Sequence, residues 1–379
     1  MSKLISSLMA LLFLAHFSTA QAQQLPVAPT VAAKSWLLLE FGSGQILTAQ
    51  APDERIEPAS LTKLMTAYLT FSALRQKTLA LEQTVPVSEK AWRTGGSKMF
   101  IRVGHQVRVE DLIKGMIVQS GNDACVALAE AISGSEEAFA ALMNREAARL
   151  GMKSTSFTNA TGLPDPGLYT TARDLSVLAS ALIRDFPEEY AKYYSMKDYR
   201  YNNITQENRN RLLWVDPTVD GVKTGSTKAA GFCLISSAKR GPRRLLSVVM
   251  GTDSEAARAS ESLKLLNWGY QFYDAVQLYS KGQAVWTPRV WKGVENTVKV
   301  GFERDFIVAV PKGYANKIEA KFVAQQPLMA PISAGQPIGA VHLMLDGKLL
   351  GEFPTVALAP VPVAGAFGRA IDSLRLWFQ

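Results

Sequence analysis

The chain has 379 residues, 47% of them hydrophobic and 20% charged, with a formal net charge of +8. It is long enough for two domains and a sizeable core, and its composition excludes an intrinsically disordered chain. The first residues read as an export leader. Lys3 gives a positive start, Leu4 to Phe17 is mostly apolar, and Ser18-Thr19-Ala20-Gln21-Ala22 ends in an Ala-x-Ala pattern. Residues 1–22 are therefore expected to be a signal peptide. Neither this run nor any later one reaches the about 20 apolar residues that cross a bilayer. Export turns the basic excess away from nucleic acid and towards anionic wall polymers or lipid headgroups. Cys125 and Cys233, the only cysteines, lie in apolar runs. They are expected as buried free thiols, although an exported compartment also permits a disulfide.

In chain order, Ser35 to Glu40 reads as a buried strand and Gln45 to Ala49 as its hairpin partner across Gly42-Ser43-Gly44. Leu61 to Leu74 predicts a helix, with Pro58 suited to its first turn. Leu79 to Val87 and Ala91 to Val103 are expected as short strands and loops. A helix begins near Val109, with Leu112, Ile113, Met116 and Ile117 on one face. It stops at Ser120-Gly121-Asn122, and an Ala-rich buried helix starts at Asp123. Phe139 to Leu150 is a further helix with Gly151 as its C-cap, and Thr171 caps a helix from Arg173 to Ile183. Asp220 to Thr224 precedes two apolar strands, Phe232 to Ala238 and Leu245 to Met250. A helix from Ser254 to Ala275 follows, its Leu263, Leu266, Trp268 and Phe272 suited to packing on the sheet. The order of strands, helices, strands and a returning helix predicts an α/β layered (α+β) domain with a largely antiparallel sheet, residues 25–283.

Composition changes near Ser280. Short strands follow at 298–300, 306–310, 318–323, 338–345 and 349–353, with Asp346-Gly347 as a hairpin turn. Residues 284–360 are expected as a small, non-catalytic all-β domain. Pro360 to Ala364 reads as a linker into an amphipathic helix, the last segment spanning 361–379. On that helix Val363, Ala366, Phe367, Ala370, Ile371, Leu374, Trp377 and Phe378 share one face. Arg369, Asp372, Ser373, Arg375 and Gln379 share the other. It is too short to span a membrane and suits the interface plane. The competing expectation is a helix that covers the β domain.

Three short motifs stand in order: Ser60-Leu61-Thr62-Lys63, Ser120-Gly121-Asn122 and Lys223-Thr224-Gly225. Ser60 and Lys63, three residues apart on a helix, share one face. A serine hydroxyl becomes a nucleophile only when a base takes its proton, and lysine is that base only with a lowered pKa. Each motif alone fits an ordinary helix surface, a capped turn or a strand end. Together, at a helix start, an interhelix loop and a strand, they match the signature set of penicillin-binding proteins and class A β-lactamases. The middle residue departs from the Ser-Asp-Asn spelling.

With Ser-Gly-Asn-Asp-Ala-Cys at 120–125 and Asp-Gly-Val-Lys-Thr-Gly at 220–225, the chain resembles the D-alanyl-D-alanine carboxypeptidases, the low-molecular-mass penicillin-binding proteins. The resemblance extends through 157–163, 208–210, 212–214 and 249–252. It implies a penicillin-binding/β-lactamase-like catalytic domain, a small β domain and an amphipathic membrane anchor. It also implies a protein peripheral to the periplasmic face of the inner membrane, acting on peptidoglycan pentapeptides and bound by β-lactams. Ser60 would attack the carbonyl between two D-alanines and Lys63 would take its proton, helped by the charge of Lys223. Ser120 would relay a proton to the leaving amine, and Asn122 would bind the substrate amide and orient Lys63. Lys223 and Thr224 would bind the terminal carboxylate, with Arg258 a weaker candidate. Gly225 would let substrate approach the strand edge. The backbone N–H groups of Ser60 and Ser226 would form the oxyanion hole. Some relatives carry a different polar residue in place of Ser226. No cofactor is implied. No His/Cys/Asp/Glu cluster suggests a metal, and His16, His105 and His342 are too scattered for a triad. The competing functions are a β-lactamase, for which the 157–163 region offers Asn159 but no glutamate, and a non-hydrolytic wall-binding protein.

Overall fold

The computed structural model describes residues 26–324 and 326–377. The leader assigned to 1–22 and the last two residues of the C-terminal segment lie outside them. An antiparallel sheet organises the first unit, in the order Ile46–Gln50, Ser35–Glu40, Arg243–Thr252, Gly231–Arg240, Val219–Thr227. The early hairpin and the late strands meet where Leu37 pairs with Val248. The strand Ser35–Glu40 is buried along its whole length because both faces of the sheet are covered. Alternate residues serve the two faces. Leu37, Ile235 and Val248 enter the main core with the helices, while Trp36, Leu38 and Val249 pack with Leu265, Leu266 and Trp268. Val219–Thr227 closes one side of the sheet and has a single strand neighbour. Its free edge faces the chemistry.

The helix Lys63–Arg75 runs through the main core and is buried on every side at its first eight residues. The helices Val109–Val118, Asn122–Ser133, Glu136–Leu150 and Ala172–Asp185 surround it. Their ends follow local chemistry. Ser135 Oγ accepts from Ala138 N–H, Gly151 closes its helix at φ 83°, and Thr171 Oγ1 accepts from Asp174 N–H.

Several boundaries differ from expectation. Ala59–Thr62 forms a 3₁₀ turn and the α-helix starts only at Lys63, so Ser60 precedes the helix proper. The stretch expected as strands and loops contains a short helix, Glu89–Arg93, started by Ser88 Oγ accepting from Ala91 N–H. The long helix is Glu255–Phe272, and from Tyr273 the chain pairs as a strand, Tyr273–Tyr279, with Phe306–Pro311 of the second unit. Pairing of an alternating segment has overridden the helical reading. Phe272 is consequently 37% exposed and does not pack on the sheet as expected.

The second unit is all-β. Its main sheet runs Ala284–Trp286, Val300–Gly301, Lys348–Ala357, Pro337–Leu345, Ile318–Val323. Asp346 (φ 48°) and Gly347 (φ 75°) give the two left-handed residues that a tight hairpin requires. Residues 360–364 are no free linker. Val361 is buried and bridges Ile332, and Val363 bridges Gly293. The helix Ala366–Trp377 then lies with Asp372 buried, its Oδ2 accepting from Lys292 N–H at 2.7 Å.

Burial predicts different costs along the long helix. Leu266→Ala, at a fully buried position between helix and sheet, should lower the unfolding free energy by about 2–5 kcal/mol. Phe272→Ala should cost less than about 1 kcal/mol. Denaturant midpoints of the two variants check this, and equal losses would refute the assignment of Phe272 to the surface.

Candidate active site

The site forms where three backbone segments come into near contact. Ala59, just before the nucleophile candidate, sits at φ 49°, a conformation costly for a residue with a Cβ. The loop 159–163 packs on this turn so closely that a Cβ at Gly162 would stand 1.8 Å from the Ala59 carbonyl oxygen. Asn159 shapes that loop. Its Oδ1 accepts from Thr161 N–H, Thr161 Oγ1 and Gly162 N–H. The edge strand is just as near, since a Cβ at Gly225 would lie 3.1 Å from both Pro58 O and Ser60 N. Gly225 thus meets the nucleophile turn, a closer constraint than the substrate approach expected from the sequence.

Lys63 Nζ is fully enclosed, with three contacts: Ser60 Oγ at 2.9 Å, Asn122 Oδ1 at 2.7 Å and Thr161 O at 2.6 Å. The last two partners can only accept. Asn122 is fixed in that orientation because its Nδ2 donates to Gly95 O at 2.7 Å. A neutral amine has two N–H bonds and one lone pair. With both N–H bonds committed to Asn122 and Thr161, the lone pair is left for the Ser60 hydroxyl. Burial pulls the Lys63 pKa down to about 8, with Arg209 adding to the pull and Cys125 and Asp123 opposing it. Burial is the largest cause, and Lys63 and Lys223 repel each other as well.

Ser120 sits at φ 60° between two helices, and its Oγ accepts from Lys223 Nζ at 3.0 Å. Gly121 explains the departure from Ser-Asp-Asn. A Cβ there would press on Asp123 Oδ1 at 2.9 Å and Met99 N at 3.1 Å. Lys223 is buried and bonds the Thr224 carbonyl as well. Its pKa falls well below the ordinary lysine value, first through burial, then through the Lys63 and Arg209 charges. Thr224 is buried and Ser226 exposed on the same strand end. Arg258 is also buried, reaching Gly225 O only at 3.5 Å. Its Nη2 lies 3.3 Å from Glu255 but makes no well-directed hydrogen bond, which leaves donor capacity for an anion.

The structure therefore brings together Ser60, Lys63, Ser120, Asn122, Lys223, Thr224, Gly225, Ser226 and Arg258. Sequence reasoning gave no role to Arg209, whose charge acts on Lys63, Lys223 and Arg258. Its cues in the sequence were its place between two turn-forming asparagines, Asn208 and Asn210, both buried, and its position in the 208–210 stretch that shares the resemblance. The Thr161 carbonyl, a backbone group, left no cue beyond its place in the 157–163 stretch that shares it. Cys125 and Cys233 are buried and free.

Comparison with known proteins defines the class. The D-alanyl-D-alanine carboxypeptidase family model matches residues 20–254, and the model of the penicillin-binding protein 5 C-terminal domain matches residues 273–363. The chain is 41% identical over 378 residues to the D-alanyl-D-alanine carboxypeptidase DacC of Escherichia coli, covering 98% of this chain and 94% of that one. Penicillin-binding protein 5 from Haemophilus influenzae superposes with a TM-score of 0.81 at 41% identity, over 89% of this chain and 99% of the other. Penicillin-binding protein D2 from Listeria monocytogenes, solved in its ampicillin-bound form, matches 64% of this chain and 100% of its own, with a TM-score of 0.59 and 30% identity. Fold and comparisons define a penicillin-binding-protein class of hydrolase. The chain belongs to the D-alanyl-D-alanine carboxypeptidase family.

The tight seam between loop and turn is testable. Gly162→Ala adds a Cβ against backbone at φ 82° and should destabilise the protein by roughly 2–4 kcal/mol. Thermal or denaturant unfolding measures this, and a loss under about 0.5 kcal/mol would show that the seam can open.

Proposed function

We propose that the chain removes the terminal D-alanine of peptidoglycan pentapeptides through an acyl-enzyme on Ser60, and that β-lactams occupy the same serine. The enclosure of Lys63 carries this reading. Its amine, with both N–H bonds fixed by Asn122 and Thr161, has its free lone pair towards Ser60 Oγ. Ser60 Oγ attacks the carbonyl carbon between the two D-alanines as its proton passes to Lys63 Nζ. The oxyanion that forms is met by the backbone N–H groups of Ser60 and Ser226. Collapse breaks the C–N bond, and the leaving amine takes a proton from Ser120, which Lys223 hydrogen-bonds and whose hydroxyl is restored by the proton that Lys63 took from Ser60. Water then cleaves the ester and returns Ser60. The terminal carboxylate of the substrate, which departs with the released D-alanine, is held by Lys223, Thr224 and Arg258, with Arg209 adding positive charge. Asn122 binds the substrate amide as well as orienting Lys63.

Loop 157–163 supports penicillin acting as an inhibitor rather than a substrate. It carries no carboxylate to activate water, and Asn159 Oδ1 is already taken by three donors. Ser60→Ala should abolish both the penicilloyl mass gain and D-alanine release; a penicilloyl group on the variant would overturn the assignment. Below its pKa Lys63 is protonated and has no lone pair. Acylation should therefore rise about tenfold per pH unit on the acid side and level off near pH 8. A profile flat from pH 5 to about 10, the ordinary lysine range, would sink the role of Lys63.

We further propose that the protein is exported and rests on the periplasmic face of the inner membrane through the helix Ala366–Trp377. Phe367 and Trp377 are 82% exposed and Leu374 61%, whereas Asp372 on the opposite side is docked on Lys292. Among the described residues no helix is long and apolar enough to cross a membrane. Arg369 and Arg375 flank the apolar face and suit anionic headgroups. Ending the chain at Ala364 keeps the bond from Ala364 N–H to Lys292 O. That truncation should release the protein from the membrane fraction with unchanged activity on a soluble tripeptide; persistent membrane association would refute the anchor.

A further inference from the structure

A loop at 95–102 holds Asn122. Gly95 O takes its Nδ2, and Ser97 O takes its N–H at 2.7 Å. The same loop has an unusual surface. Buried Asp123 gathers the N–H groups of Met99, Phe100 and Ile101 on its carboxylate at 2.9, 2.9 and 3.2 Å. Met99 and Ile101 point into the core, 0% and 2% exposed, while Phe100 sits at φ 67° and is 48% exposed. A bulky residue rarely holds that conformation, and where it does the surroundings enforce it. Here the clamp turns an aromatic ring outwards.

That ring borders a groove of about 420 Å³, shared with Trp92 (42% exposed), Ile204 (41% exposed), Lys98, Arg102 and Asn202. The hairpin that carries Ile204 is tied to the loop, because Asn202 Nδ2 donates to Phe100 O and Gln206 Nε2 to Lys98 O. The lining contains two cations and no acid. Lys98 Nζ is held by Trp92 O at 2.6 Å, and among the described residues no carboxylate pairs with Lys98 or Arg102. Exposed rings, a side-chain amide and two uncompensated cations complement a polymer with flat apolar sugar faces, acetamido groups and carboxylates.

We propose that this groove docks the glycan strand of assembled wall polymer, with sugar rings on Trp92 and Phe100 and stem carboxylates on Lys98 and Arg102. The proposal rests on the carboxypeptidase reading above. Chain continuity favours the glycan: the loop that carries Lys98, Phe100 and Arg102 also holds Asn122 through Gly95 O and Ser97 O, so a strand docked here lies on the loop that supports the site. The exposed apolar face of the helix Ala366–Trp377, not this groove, is the surface suited to lipid.

The test uses Trp92→Ala and Arg102→Glu, both exposed positions, each made in the active protein and in the Ser60→Ala background. Ser60→Ala protein is sedimented with purified peptidoglycan. Each variant should bind roughly tenfold more weakly, the size expected for one aromatic or arginine anchor. In the active background, kcat/KM on pentapeptide-bearing glycan should fall by a similar factor, while kcat/KM on a diacetylated lysyl-D-alanyl-D-alanine tripeptide stays within about twofold. Unchanged polymer binding, or a parallel loss on polymer and tripeptide, overturns the proposal. So does a loss of affinity for phosphatidylglycerol vesicles with polymer binding intact, which would make the groove a lipid surface. Failure of the carboxypeptidase reading looks different: the active protein would release no D-alanine from the tripeptide, whereas Trp92-dependent sedimentation does not depend on turnover.

Discussion

The burial of one amine governs the catalytic unit. Lys63 begins a helix with no solvent-facing side at its active end, and its Nζ lies among groups that mostly accept hydrogen bonds. Taking an ammonium out of water is costly, and burial therefore shifts a lysine towards its neutral form. In the neutral form the two N–H directions are fixed by Asn122 and Thr161, and one lone pair is left with the Ser60 hydroxyl as its partner. Asn122 serves this end from a helix start, Thr161 from a loop and Gly95 from the loop at 95–102. A change that let water reach Nζ would raise its pKa and blur its direction together.

Close backbone approach is the second constraint, and it explains several residues without functional side chains. Gly162, Gly225 and Gly121 each stand where a Cβ would press on backbone or on the Asp123 carboxylate. Ala59 and Ser120 hold left-handed conformations beside the reacting groups. Such positions each cost on the order of 1–3 kcal/mol and persist only where packing over-determines them. Here the surrounding helices and the sheet do so. Lys223, Arg209 and Arg258 repel one another, a cost that a nearby anion would offset.

The three motifs were legible because each combines a reactive side chain with a recognisable local context, and the family resemblance fixed their order. The apolar strands and the helix ends at Gly151 and Thr171 were legible for the same local reasons. The end of the long helix was not, because Tyr273–Tyr279 fits either state until Phe306–Pro311 pairs with it. Arg209 and Thr161 stood inside stretches that carry the resemblance but with no role attached, because their effect on Lys63 comes from three-dimensional proximity. Burial or a neighbouring cation is what the sequence reading expects to lower the Lys63 pKa, and burial is the larger cause. A charge can be read from a sequence, whereas depth of burial depends on the whole fold.

The C-terminal helix shows how one pattern leaves two structures open. Its periodicity suits a helix that covers a core and one that lies on a membrane. A covering helix would bury Phe367 and keep Asp372 in water. The opposite is found: Asp372 is 8% exposed and caps Lys292 N–H, while Phe367 is 82% exposed. A carboxylate gives up solvation only for a compensating donor, and the backbone N–H supplies one. That contact fixes which side of the helix faces the β domain, and with it which side faces away. The bridges at Val361 and Val363 carry the same orientation back into the sheet. Under the proposed membrane role, the polar tie and the apolar face are parts of one device. The tie holds the helix to the β domain, and the exposed aromatic face is left for the bilayer.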